Sequence, residues 1–301
     1  METNPPIRER ALPAKIFLSP EEPRLRAGWR LLAQTILFFI FILIFGIPFG
    51  ILALFLRTDQ GLLVVLQFVE LLATTGSIFL VRIFLDRRSI SSLGLKLDRR
   101  TVADLVIGIA IPFVMMGLVY WLEWSLGWLT FEGFAWETEN IGKVALNLLG
   151  MFLFFVFVGW DEELLFRGYY LQTIASGLNP AWGVFLSSVI FGLAHSSNPS
   201  AGWASAAGIF FAGLFMAYAY LRTGQLWLSI GLHIGWNFFE GPVFGFPVSG
   251  LGFFQMTRIV VEGPELWTGG AFGPEAGLIV LPALLVGAAL VWICTRGRNA
   301  K

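Results

Sequence analysis

Long apolar runs broken by short polar punctuation dominate the chain. From one polar break to the next, the runs are Leu31 to Leu56, Leu62 to Leu85, Val102 to Leu126, Val144 to about Ala175, Ala181 to His195, Ala204 to Leu221, Leu226 to Phe239 and Ala276 to Cys294. Hydrocarbon about 30 Å thick needs roughly 20 apolar residues per helical span, so the pattern predicts about eight transmembrane helices, the fifth and seventh short and ending in polar residues. The expected fold class is all-α, a polytopic membrane helix bundle. Gly241 to Gly273 is rich in Gly, Pro and Phe, too broken for a helix and too apolar for a freely solvated loop, and reads as a re-entrant or interfacial cap. No internal repeat of fixed period is visible, and the glycines scattered through the spans read as close-packing positions.

Composition sharpens this picture. Of 301 residues 56% are hydrophobic and 13% charged, with a mean hydropathy of +0.75, outside the range of soluble domains. A net charge of zero gives no reason to expect nucleic acid as a partner, and the single Cys294 excludes an intrachain disulfide framework. Residues 1–30 mix Pro5, Pro6, Glu9, Glu21 and Glu22 with six basic residues and lack the pattern of a secretory signal, so they are expected to be retained as a polar cytoplasmic arm. The transmembrane domain is then 31–295 and a basic tail 296–301.

The basic residues orient the bundle. Arg8, Arg10, Lys15, Arg24, Arg26 and Arg30 precede the first span, and Arg82, Arg87, Arg88, Lys96, Arg99 and Arg100 surround the connection after the second. Arg167, Arg222, Arg296, Arg298 and Lys301 join them when eight spans are threaded, leaving Arg57, Lys143 and Arg258 for the opposite side. Basic residues collect on the cytoplasmic side, so both termini are expected there, in a bacterial plasma membrane.

Ionisable groups in hydrocarbon cost about 2.5 to 3.5 kcal/mol each on insertion scales, yet the fourth span holds Asp161, Glu162, Glu163 and Arg167. At about 100° per residue, Glu163 and Arg167 share one face and can neutralise each other, while Glu162 points away and is placed as a general base would be. The competing interpretation is a solvated helix end with no chemistry. The chain's two histidines, His195 and His233, both lie in apolar segments, and His233 shares a face with Asn237. Counting about 1.5 Å per residue from the connecting turns puts Glu162 and His195 roughly 20 Å along their helices and His233 roughly 13 Å along its own. A shared pocket opening toward the cytoplasm is expected. A carboxylate, two imidazoles and an amide there could activate water and stabilise an oxyanion, or bind a metal.

Glu-Glu-x-x-x-Arg at Glu162, Phe-x-x-x-His ending at His195 and His-x-x-x-Asn starting at His233, in this order and each on a hydrophobic segment, resemble the CPBP family of intramembrane proteases. That family includes the type II CAAX prenyl endopeptidases and bacteriocin-immunity (Abi-like) homologues. The resemblance covers roughly residues 140–240. It implies a conical catalytic cavity between the central helices, with Glu162 and His195 activating water, His233 and Asn237 stabilising the oxyanion, and Glu163 and Arg167 as supports. The family is described as metalloproteases, and the same residues read either as metal-free glutamate catalysis or as zinc ligands Glu162, His195 and His233. Implied partners are membrane lipid and a membrane-anchored peptide or protein, a prenylated CAAX-type tail being one candidate. Two other classes compete: a non-catalytic immunity or scaffold protein of the same fold, and a transporter with a proton relay, against which the missing repeat counts.

Overall fold

The computed structural model describes residues 16–19, 22, 24–56 and 59–298. Most of the expected N-terminal arm, Arg57 and the last residues of the basic tail lie outside the described residues. The helices are α1 (Ala27–Leu56), α2 (Asp59–Phe84), α3 (Thr101–Ser125), α4 (Ile141–Gly177), α5 (Pro180–Ala194), α6 (Trp203–Thr223), α7 (Trp227–Phe238), α8 (Glu265–Thr268) and α9 (Val280–Cys294). Apart from the single turn of α8, they correspond one for one to the eight apolar runs. Five of them, α1, α2, α3, α4 and α6, are long and apolar enough to cross a membrane, and the chain is an integral membrane protein.

Local chemistry sets the helix ends. The Asn140 side chain accepts from the Gly142 amide at 2.8 Å to start α4, and Asn179 accepts from the Trp182 amide at 3.0 Å to start α5, with Pro180 in the first turn. The last helix starts at Val280 rather than at the expected Ala276, because Pro274–Ala276 forms a 3₁₀ turn and Gly277 is extended.

Two strands, absent from the sequence expectation, flank the bundle. β1 (Leu129–Phe134) pairs antiparallel with β2 (Thr257–Val261), Leu129 opposite Val261 and Phe134 opposite Thr257, with an irregularity between Phe131 and Gly133. Gly133 adopts φ +129°, open to glycine alone at no cost. The segment read as a cap is thus partly anchored by this ribbon. At the other end of the bundle, Asp86 receives Arg30 Nη1 at 2.7 Å and Arg82 Nη1 at 3.0 Å, while Arg82 Nη2 donates to Gln172 Oε1 at 3.0 Å. These contacts gather the start of α1 and the ends of α2 and α4 on one face, the face rich in basic residues.

Helix α7 is the centre of the bundle: every residue from Leu228 to Asn237 is buried. At 12 residues it is about 18 Å long, too short to cross hydrocarbon, but it touches protein on every side and has no need to. Its closest neighbour is α3. A Cβ on Gly231 would lie 2.5 Å from the Leu105 carbonyl oxygen, and one on Gly108 2.5 Å from that of Leu228. Backbone meets backbone there, the packing that small residues permit between membrane helices. Gly231→Leu is expected to destabilise the protein by at least about 3 kcal/mol, read as a lowered midpoint of thermal unfolding in detergent. An unchanged midpoint would contradict this packing.

Candidate active site

The motif-bearing helix changes its winding where the charges begin. α4 is α-helical over Ile141–Glu163, π-helical over Leu164–Leu171 and α-helical again over Gln172–Gly177. Such wide turns recur at functional sites because the extra residue re-aims the neighbouring side chains.

Glu163 is fully buried, and its carboxylate is the meeting point of three side chains from two helices. Arg167 Nη1 donates to Oε1 at 2.7 Å, His233 Nδ1 to the same oxygen at 3.0 Å, and the Ser229 hydroxyl to Oε2. Arg167, 1% exposed, also donates to the Gly213 carbonyl at 3.1 Å and lies over the Phe191 ring at 4.3 Å. The i,i+4 pair expected from spacing is therefore present and completely desolvated, which excludes a solvated helix end.

Glu162 faces elsewhere. Its Oε2 lies 3.8 Å from His195 Nε2 and 3.7 Å from His233 Nε2 and has no hydrogen-bond partner. Both rings are held by their other nitrogen: His195 Nδ1 bonds the Phe191 carbonyl at 2.9 Å and His233 Nδ1 the Glu163 carboxylate. Those partners can only accept, so each Nδ1 carries a proton and each Nε2 is turned toward Glu162. The Phe191 ring packs edge-on against both imidazoles, with centroids 4.9 and 6.1 Å away. Asn237, one turn beyond His233, is buried on the same cavity wall.

Both rings thus reach one oxygen of Glu162, and α7 begins beside Leu226, which is fully buried and whose amide donates to the Gly94 carbonyl at 2.8 Å.

These groups line a cavity of about 530 Å³, a volume in the range of small-molecule and peptide sites. It does not open toward the basic face as expected. Its walls come from Leu63, Leu66, Gln67 and Glu70 in the first half of α2, from Phe154 to Phe166 on α4, and from Val248 to Phe253 of the cap. All of these lie on the ribbon side of the Asp86 cluster. Leu63, Leu66 and Glu70 on α2 and Ala194 and Ser197 at the end of α5 are both exposed and cavity-lining, so the mouth is lateral, between those two helices.

Several residues of the site were not singled out from sequence. Glu70 is the one charged residue between Gly61 and Val81, a signal for function that was available. Ser229, Ser249 and Glu275 carried none. Glu275 accepts from Trp236 Nε1 at 3.0 Å and from the Ser249 amide and hydroxyl at 2.7 Å each, and the Asn198 amide group donates to the Ser249 carbonyl at 3.0 Å. Through these bonds the cap is tied to α7 and to the turn after α5. Among the described residues, no group of three or more His, Cys, Asp and Glu is gathered so as to hold a metal ion.

The buried pair gives a direct test. Arg167→Met leaves the Glu163 carboxylate desolvated and short of its cationic partner, an arrangement that costs about 3–5 kcal/mol. The unfolding midpoint in detergent is expected to fall accordingly, with Glu163→Gln in the same chain restoring part of the loss. A full-strength midpoint in Arg167→Met would show that the pair contributes nothing.

No curated protein matches the chain. Residues 144–239, the stretch that contains Glu162, Glu163, Arg167, His195, His233 and Asn237, match the family model described as type II CAAX prenyl endopeptidase Rce1-like.

Proposed function

We propose that this chain is an intramembrane endopeptidase that hydrolyses a peptide bond of a membrane-associated substrate with water activated by Glu162 and His195. The observation that carries the reading is the free Oε2 of Glu162, set 3.7 and 3.8 Å from two Nε2 atoms whose rings are fixed from behind. Separations of this size between polar atoms are spanned by one water, each contact near hydrogen-bond length. The family match over residues 144–239 supports proteolysis as the reaction.

In this mechanism Glu162 accepts a proton from water while the His195 Nε2 orients it, and the water oxygen adds to the carbonyl carbon of the substrate. The oxyanion receives hydrogen bonds from the Asn237 amide and from the His233 ring, for which Glu163 supplies the counter-charge. Glu162 then returns its proton to the departing amide nitrogen, and the C–N bond breaks. Every step uses groups already on the cavity wall, so the reaction as we read it is metal-free.

Lateral access through the mouth between α2 and α5 suits a substrate delivered within the bilayer, and a lipid anchor would concentrate it there. A prenylated CAAX-type tail is the candidate suggested by the family. We read both termini as cytoplasmic, in a bacterial plasma membrane, and the bias of the basic residues supports that orientation; in it the cavity reaches away from the cytoplasmic face.

Glu162→Gln is expected to lower kcat on a cleavable reporter by about 10²–10⁴-fold, and Asn237→Ala by about 10²–10³-fold, with both proteins still monodisperse after extraction. Folded Glu162→Gln protein with wild-type turnover would end the proposal. Exhaustive demetallation should leave activity intact. Loss of activity restored by zinc would replace the metal-free mechanism with one using Glu162, His195 and His233 as ligands.

A further inference from the structure

The cap meets the cavity along a stretch of main chain that the fold leaves unpaired. Val248 and Leu251 close a tight turn with two mutual backbone bonds, at 3.0 and 2.9 Å. At Met256 the chain is fixed again, its amide donating to the Pro242 carbonyl at 2.7 Å and its carbonyl accepting from the Ala135 amide at 2.9 Å. Between these anchors Gly252–Gln255 makes neither turn nor bend, and it leads directly into β2. Among the described residues, no group bonds any N–H or carbonyl of this run, whereas the Gln255 side chain is held by the Gly245 carbonyl. Main-chain polar groups seldom go unpaired inside a protein, and a straight run of them held at both ends is the form in which a sheet edge accepts another chain.

The run belongs to the site. Leu251 and Phe253 line the cavity, and the Phe253 ring packs on α4 with its centroid 5.8 Å from that of Phe154 and 5.1 Å from that of Phe155. Glu162 lies two turns further along the same α-helical stretch, about 10 Å from the level of Phe155. About three residues of extended chain cover that distance. Gly252 is exposed, and a Cβ built on it would meet nothing within 4 Å. Space beside the run is therefore open, and glycine in such a place lets another backbone come close.

We infer that Gly252–Gln255 is a docking edge for the substrate, whose backbone lies extended against it and pairs with it about three residues from the bond that is cleaved. The word "substrate" rests on the endopeptidase reading; the pairing edge does not. An extended chain turns the N–H and C=O of alternate residues to opposite edges. The bound segment therefore takes the groups of Gly252 and Phe254 or those of Phe253 and Gln255, and not both sets.

The test uses the full chain in nanodiscs, with an acylated, fluorescence-quenched apolar peptide as the probe. Each backbone amide of the peptide is replaced in turn by an ester, which removes one N–H and keeps the side chain. Binding is read on the Glu162→Gln protein and cleavage on the wild type. Esters at two alternate positions are expected to weaken binding about three- to tenfold each, and an ester at the position between them to leave it unchanged. In the protein, phenyllactic acid introduced in place of Phe253 or of Phe254 keeps the ring and exchanges the N–H for an ester oxygen. Neither N–H is bonded within the fold, so both proteins are expected to keep the wild-type unfolding midpoint. One of the two, and not the other, is expected to lose about three- to tenfold in binding.

Losses at every position of the peptide or at none, or in both or neither of the phenyllactate proteins, would overturn the inference. An alternating pattern in binding with no cleavage by the wild type would retain the docking edge and overturn the endopeptidase reading. Cleavage without the alternating pattern would do the reverse, and a peptide neither bound nor cleaved would overturn both.

Discussion

A single buried carboxylate, that of Glu163, fixes the relative positions of the helices that form the cavity. It accepts from Arg167 on its own helix and from Ser229 and His233 on α7, and Arg167 extends the connection to the Gly213 carbonyl on α6 and the Phe191 ring on α5. Four helices are therefore joined through one ion pair. In hydrocarbon, helices gain no hydrophobic drive to associate, so packing and polar contacts of this kind decide how they sit. A desolvated pair is a poor source of net stability but a demanding geometric constraint, since losing any partner strands the charge. That constraint sets the angle of the His233 ring, and with it the direction of Nε2.

Adjacent residues on one helix can have opposite fates because they point about 100° apart. Glu163 turns inward and is spent on structure; Glu162 turns into the cavity and keeps an oxygen without a partner. Duplicated acids at this point are thus two different devices. The same division holds for the imidazoles, each held by Nδ1 to an acceptor from the fold and presenting Nε2 to the cavity. Preorganisation of this type keeps reacting groups from spending binding energy on rearrangement.

The helices were legible in the sequence because lipid imposes a length and a hydropathy on each span; the short fifth and seventh runs were legible too, and the shortness of the seventh goes with its burial inside protein. The Glu163–Arg167 pair followed from spacing alone. Long-range pairing was not legible. Leu129–Phe134 and Thr257–Val261 are separated by four helices, and a strand is recognised as such only when its partner is known. The burial of the turn before α7 was not legible either, since Leu226 is an apolar residue like any other in the sequence. The lateral mouth was not legible for a related reason: charge bias reports which side loops occupy, not where two helices stand apart.

The cap contributes more than cover. Glu275 holds Ser249 and Trp236 at once, and Ser249 in turn receives Asn198 beside the end of α5. The cap is thereby fastened to the helix that carries His233 and to the turn that follows His195. With the ribbon side lined by the cap, the lateral gap between α2 and α5 gives a chain a way to reach Glu162, and Glu70 stands in it. Glu70 on one side of that gap and His195 on the other bracket the approach to Glu162, so the entrance and the reacting groups belong to one wall.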